Sequence, residues 1–420
     1  MADVKPFCGL RPAPEQVAKV ASLPYDVLDR EEARQITAAN PCSFLRVTRA
    51  EVDLAADIDP HSPPVYAQAA KNLNLFLRQG LLAADPTPCF YIYQQQMNDH
   101  CQIGLVAAAS LDEYETGQIK KHELTRPDKE QDRVDHLIAT QSQTGAVFLT
   151  YRADPALTAL IDRARQRRPV YDFTAADGIS HTLYVIDEPA LITGIERAFR
   201  NIAPLYIADG HHRSAAAARV RNLWRAANSA HTGSEEYNRF LAVIFPDTMM
   251  KIMAYNRVVT DLNGRSATDF LAAVQKNFVL TASPAGPAKP RQAHTFGLYL
   301  NGTWHYLTAK PGTFPVADPV ASLDVSILQT NLLEPLLGIG NPRTDRRIGF
   351  VGGIRGLKEL ERLVDEGRYA VAVALFPTAI SELMTIADAG QLMPPKSTWF
   401  EPKLRDAMVI HQTPAPGQAG

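Results

Sequence analysis

The run Leu205-Tyr-Ile-Ala-Asp-Gly-His-His-Arg213 constrains this chain more than any other stretch. Leu205–Ala208 is a short apolar strand, Gly210 permits a tight turn, and an Ala-rich helix reaching about Ala227 begins almost at once. A strand that passes straight into a helix calls for mixed α and β architecture. The first turn of that helix carries free backbone N–H groups and the positive end of the dipole. Arg213 adds a planar, permanently charged fork suited to phosphate, and His211 and His212 add donors. Three cation-capable side chains at one helix start repel one another unless an anion lies between them. The residues therefore read as an anion cradle, most suited to phosphate. The competing reading is a capped helix with exposed polar residues, and the strand–turn–helix context favours the cradle.

Around this turn, short strands and helices alternate without internal repeat. Ser43–Thr48 reads as a strand. Val65–Leu77 reads as a helix with Val65, Ala69, Leu73, Phe76 and Leu77 on one stripe. Cys89–Gln95 and Gln102–Ser110 read as a strand pair around the polar turn Asn98-Asp99-His100. Glu113–Gln143 is polar and charged, contains Pro127, and is read as a solvated helix or a functional loop rather than core. Further strands are expected at Ala146–Tyr151, Ser180–Ile186 and Phe240–Phe245, the last pairing with Lys251–Val259. Helices are expected at Pro155–Gln166 and Pro189–Arg200. The last third holds strands at His294–Leu300, Trp304–Leu307, Ile348–Val351 and Tyr369–Phe376, and helices at Leu323–Leu337, Leu357–Glu366 and Ala379–Ala389.

Composition removes whole classes. At 420 residues the chain has room for about two to three domains and a sizeable core. A net charge of −2 argues against a protein that coats nucleic acid. The longest apolar stretch, Tyr369–Phe376, falls far short of the ~20 residues of a spanning helix, and the N-terminus has no apolar signal core. Cys8, Cys42, Cys89 and Cys101 form no CxxC pair and read as reduced thiols, so a cytoplasmic protein without membrane contact is expected. GxxxxGK[ST] and GxGxxG are both missing, so a Walker loop and a Rossmann dinucleotide site are excluded.

A second cluster lies in the long polar stretch: His122-Glu123-Leu124-Thr125, ahead of Asp132-Arg133. It is not an HExxH helix, because Arg126 and Pro127 follow. It reads either as a loop that brings His122, Glu123 and Thr125 to a hydroxyl or amino-acid substrate, or as a solvated helix. His122 and Glu123 with His211 and His212 also form a possible set of transition-metal ligands. Arg163, Arg165, Arg167 and Arg168 at a helix end, and Arg343, Arg346 and Arg347, read as solvated faces.

Several stretches resemble the DUF1015 family: Ser22-Leu-Pro-Tyr-Asp-Val27, Asn40-Pro-Cys-Ser-Phe-Leu45, His122–Thr125 with Asp132-Arg133, Tyr206–Arg213, Tyr255-Asn-Arg-Val258, Leu323-Asp-Val-Ser326 and Met393–Pro402. The Asp209–Arg213 turn is also similar to the phosphate-binding turn of the ParB/sulfiredoxin superfamily, which includes free serine kinases with a D-G-H-T-R turn. That resemblance implies an α+β fold. A ParB/sulfiredoxin-like catalytic domain with insertions would span 1–230, a C-terminal mixed α/β domain 231–411, and a disordered tail 412–420. It implies a nucleotide-dependent phosphotransferase using Mg²⁺ and ATP or ADP, acting on a small hydroxylated metabolite such as free L-serine.

On that reading Gly210, His211, His212 and Arg213 hold phosphate, while Asp26, Glu123, His122 and Asp209 carry the chemistry. Asp209 and Glu123 would hold the metal, and Tyr25, Thr125, Arg133 and Asn256 would meet the substrate. Asp26 stands where the kinases have Glu, one methylene shorter, and His212 stands where they have Thr. Two other readings compete: a nucleotide-gated, DNA-associated regulatory protein, which the near-neutral charge opposes, and a metal-dependent hydrolase or isomerase built on the His/Glu cluster. A homodimer is compatible with either.

Overall fold

The computed structural model describes residues 2–283 and 286–417, so residues 418–420 of the expected tail lie outside the described residues. The fold is mixed α/β and divides into two compact units. The first comprises the chain up to Met250 together with the chain from Pro402 onward; the second is Lys251–Glu401.

The first unit is organised on a nine-stranded sheet. Its strands are β1 (Val4–Lys5), β2 (Phe90–Met97), β3 (His100–Ser110), β4 (Ile119–Lys120), β5 (Val147–Tyr151), β6 (Tyr171–Thr174), β7 (Ser180–Ile186), β8 (Leu205–Asp209) and β9 (Arg239–Pro246). They run β4-β8-β5-β9-β3-β2-β7-β6, with β1 added to β3. Most pairs are antiparallel, but β8–β4 and β9–β5 are parallel. The β2–β3 hairpin turns at Asn98, at φ 53°, where the polar turn was expected.

Three helices matter for the site: α1 (Pro63–Arg78), α2 (Pro127–Thr140) and α3 (His211–Ala227). Residues Ala215–Ala218 of α3 are buried, and their small size brings its backbone close to β5 and β9. α2 packs between α3 and α1. The core joins Leu149, Ile207, Ala242 and Ile244 of the sheet to Val134 and Leu137 of α2 and Val220 and Trp224 of α3.

The second unit holds a six-stranded antiparallel sheet: β10 (Tyr255–Val259), β11 (Phe278–Ala282), β12 (Thr295–Leu300), β13 (Thr303–Ala309), β14 (Ile348–Gly352) and β15 (Val371–Leu375), ordered β11-β13-β12-β15-β10-β14. Among the described residues no helix is long and apolar enough to cross a membrane.

Several expectations differ from the structure. A boundary at residue 230 would cut off β9, a buried central strand between β5 and β3, so the first unit continues to Met250. Tyr255–Val259 does not pair with β9; it belongs to the second sheet, between β14 and β15, while Ile252–Met253 pairs with Trp399–Phe400. Ser43–Thr48 contains a short helix, Leu45–Thr48, because Phe44 and Val47 turn together into a small apolar cluster. Glu113–Gln143 is neither one solvated helix nor a loop. Pro127 opens α2, where a missing N–H costs nothing, and Asp132, Val134, His136 and Leu137 are buried.

Among the described residues, the start of the expected tail is not tail-like either. His411–Gln412 pairs with Ser142–Gln143, and Thr413 is buried and donates its N–H to the Gln141 carbonyl. Arg163 and Arg167 are exposed and paired with Glu188 and Asp187, whereas Arg165, read with them as part of a solvated face, is half-buried and donates to Gln94 as well as to Asp162.

Candidate functional site

β8 ends at Asp209, and its register with β5 shifts between Ile207 and Asp209, which re-aims the strand end. Gly210 follows at φ +101°, a conformation that side chains strain to adopt, and is the residue before α3 begins. A Cβ there would also lie 3.1 Å from Arg213 Nε. The turn therefore folds Arg213 back over the strand end. Its guanidinium donates to the Ala146 carbonyl and sits 3.9 Å from Asp209.

Lys403 reaches the same carboxylate, Nζ to Oδ2 at 3.1 Å. Burial opposes ionisation of Asp209, but Lys403 and Arg213 outweigh it and hold the carboxyl well below its ordinary range. Arg213 is half-buried, and its neighbouring carboxylates Asp209, Asp26 and Asp406 outweigh the cost of burial and keep it charged. Two fixed cations thus converge on the start of a helix.

The N-terminal and C-terminal segments meet beside this turn. Ser22 and Asp406 form an antiparallel bridge, with N–O distances of 3.2 and 2.9 Å. Asp406 is buried, and burial pushes its carboxyl up to about 7; Arg213 pulls it down and Asp26 adds to the rise. Gly145 sits against it so closely that a Cβ would meet Asp406 Oδ1 at 2.7 Å.

α2 supplies Arg133, whose guanidinium lies 3.9 Å above the Tyr25 ring and grips Asp132 with two hydrogen bonds of 2.7 and 3.0 Å. Asp132 also accepts from Tyr66 Oη and meets His61 Nδ1, each at 2.9 Å, so Arg133 is fixed from behind. Burial pushes the Tyr25 phenol up to about 12. Tyr25, Arg133, Thr144, Gly145, Arg213 and Asp406 line one small pocket. Asp26 is exposed in the turn next to Tyr25.

On the other side of the turn, His122 and His211 pack edge to face with centroids 4.5 Å apart. Burial holds His122 down to about 4, against the pull of a hydrogen bond to the Ile207 carbonyl. Burial, and then the nearness of His122, holds His211 well below its ordinary value. His122 Nδ1 and His211 Nε2 are buried without a hydrogen-bond partner, a condition that costs about 1–3 kcal/mol for each atom. Glu123 lies beside them, and the ligand atoms of all three fall within 4.8 Å of one another.

Of the residues expected from sequence, Tyr25, Asp26, Arg133, Asp209, Gly210 and Arg213 gather at this turn. His122, Glu123 and His211 form the adjoining cluster. The remaining three are used otherwise. His212 Nε2 accepts from the Arg126 N–H at 3.0 Å and ties the 121–126 segment to α3. Thr125 donates to Glu130 at 2.6 Å, at the start of α2. Asn256 belongs to the second unit, where it is buried and its Oδ1 accepts from the Leu375 N–H at 3.1 Å.

The expected metal pair is also regrouped. Glu123 is with two histidines, and Asp209 is with two cations. Lys403 and Asp406 were missed. Their signal was the short charged run Lys403-Leu-Arg-Asp406 directly after Met393–Pro402.

Among solved structures, the chain is similar to a free serine kinase in complex with AMP, with 12% identity over 71% of this chain and 86% of that one and a TM-score of 0.35. A conserved hypothetical protein from Pyrococcus furiosus shows 13% identity over 72% and 93%, TM-score 0.34. SbnI with a C-terminal truncation, from Staphylococcus aureus, shows 11% over 72% and 85%, TM-score 0.30. Likenesses at this level leave the chemistry of this chain to its own residues. No curated protein matches the sequence. Residues 4–326, most of the chain, match the family model described as "Protein of unknown function (DUF1015)", and the chain belongs to that family.

Proposed function

We propose that this chain is a nucleotide-dependent phosphotransferase that binds phosphate at the N-terminal turn of α3 and transfers a phosphoryl group to a small hydroxylated metabolite, with free L-serine the first acceptor to test. One observation carries the reading: Arg213 and Lys403 converge with the free N–H groups of a helix start, while Asp26 and Asp406 lie beside Arg213. Phosphoryl transfer asks little covalent help of a protein. It needs cations fixed on the phosphate oxygens, an aligned acceptor and a carboxylate that orients the attacking hydroxyl.

Arg213 is held by Ala146 before any ligand arrives, so its fork is preorganised for phosphate oxygens. Asp26, exposed at the turn, is placed to orient the acceptor. The acceptor oxygen forms a bond to the terminal phosphorus, the bond from phosphorus to the leaving phosphate oxygen breaks, and the hydroxyl proton passes to a carboxylate. Asp406, held near 7, has the proton affinity for that part. Magnesium is the ion this chemistry usually recruits, and it asks for an octahedral shell of oxygens. The donor set beside the turn is two imidazoles and one carboxylate, which does not fit it, so no step is drawn through a protein-held magnesium ion.

The test is to incubate the protein with ATP or ADP and L-serine and follow ³¹P NMR. A new phosphomonoester resonance, lost in Asp26→Asn, supports the reading. Absence of any phosphorylated acceptor across a panel of hydroxylated amino acids and sugars refutes it.

A further inference from the structure

We propose that His122, Glu123 and His211 form a binding site for a first-row divalent transition ion of the zinc or iron class, held by His122 Nδ1, His211 Nε2 and the Glu123 carboxylate. The inference stands apart from the phosphotransferase reading and would survive its failure.

Three observations carry it. First, the two imidazole nitrogens are buried and partnerless, on side chains only 2% and 7% exposed, and they belong to rings that touch. Packing for shape alone leaves such atoms in hydrogen bonds or turns them to water, as most buried polar atoms show. Second, the outer shell is in place. With Nδ1 bare, the His122 hydrogen bond to the Ile207 carbonyl comes from Nε2–H, which fixes the tautomer that presents the Nδ1 lone pair. A ligating histidine is ordinarily oriented by such a bond from its other nitrogen. Third, the donor set selects the ion. Two imidazoles and a carboxylate, with their atoms within 4.8 Å of one another, suit zinc, iron, cobalt or nickel.

The fold explains how residues so far apart in sequence meet. β4 is parallel to β8, so the segment leaving β4 at Lys120 emerges beside the segment leaving β8 at Asp209. His212 then clamps the first segment through the Arg126 N–H. Three protein ligands leave coordination positions open, as in sites that bind water or substrate on the ion.

The experiment uses the full chain purified without a polyhistidine tag, stripped with a chelator and titrated with Zn²⁺ and Co²⁺. The expected result is one tight equivalent per chain, with visible d–d absorption from bound Co²⁺. Glu123→Gln, a half-exposed position, weakens binding at least tenfold, and His211→Gln abolishes it. His231→Gln, a histidine paired with Glu235 elsewhere, leaves it unchanged. Circular dichroism establishes that each variant is folded. Substoichiometric binding by the wild type, or wild-type affinity in both Glu123→Gln and His211→Gln, overturns the proposal. Nucleotide affinity measured on the same stripped protein reports separately on the phosphotransferase reading.

Discussion

Replacing Asp406 by Asn should make the first unit more stable at pH 8 and leave it nearly unchanged near pH 4. The carboxyl is buried between Arg213 and Asp26, and its pKa rises from the ordinary 3.8 to about 7. At about 1.4 kcal/mol for each factor of ten in the ionisation constant, that rise is worth roughly 4 kcal/mol. The folded state has the higher pKa, so it binds the proton more tightly than the unfolded chain does. Stability is therefore full below about pH 4 and is lost as pH rises through 7. Above 7 the wild type carries a buried charge that the unfolded chain would carry in water.

Asparagine has the same shape and no charge, so the variant should gain up to about 4 kcal/mol at pH 8 and only about 1 kcal/mol at pH 4.5. Hydrogen exchange read by mass spectrometry on peptides from β5, β8 and β9 measures the unit directly. An Asn variant that is less stable at pH 8, or whose difference from wild type does not change with pH, would refute the reasoning. The gain should come with lost phosphoryl transfer, because a destabilised buried carboxyl is a common feature of working sites.

Arg213→Lys keeps the charge but loses the fork that bonds Ala146 while facing phosphate; nucleotide affinity by calorimetry should fall about 10- to 100-fold with the fold intact. Lys403→Met removes the 3.1 Å partner of Asp209, so the Asp209 carboxyl titrates at higher pH, which NMR of labelled aspartate would detect. Gly210→Ala strains a φ of +101° and crowds Arg213, and should cost at least about 1 kcal/mol together with phosphate binding. Asn256→Ala leaves the Leu375 N–H without its acceptor and should cost about 1–3 kcal/mol in the second unit, while nucleotide binding stays at the wild-type level.

The part of the site written in consecutive residues was legible in the sequence. Gly210, His211 and Arg213 could be read because a strand, a left-handed glycine and a helix start are local chain chemistry. Lys403 was not legible, because the contact it makes with Asp209 spans 194 positions and depends on the chain returning after the whole second unit. The same long return hides the bridge from Ser22 to Asp406. Residue type also misled. Asn256 sits in a stretch that resembles the family, yet its side chain serves the interior of the second sheet, accepting from the Leu375 N–H of β15. Thr125 looks like a substrate ligand and instead bonds Glu130. The short helix Leu45–Thr48 was read as a strand because four apolar and polar residues cannot distinguish the two periods; burial of Phe44 and Val47 on one side decides it.

The central claim is that the start of α3 holds nucleotide phosphate. Isothermal titration of ADP into the wild type and into folded Arg213→Gln tests it most directly. The account predicts saturable one-site binding by the wild type and at least about a tenfold loss in the variant. Equal affinity in the two proteins, or no binding by the wild type at millimolar ADP, would contradict it.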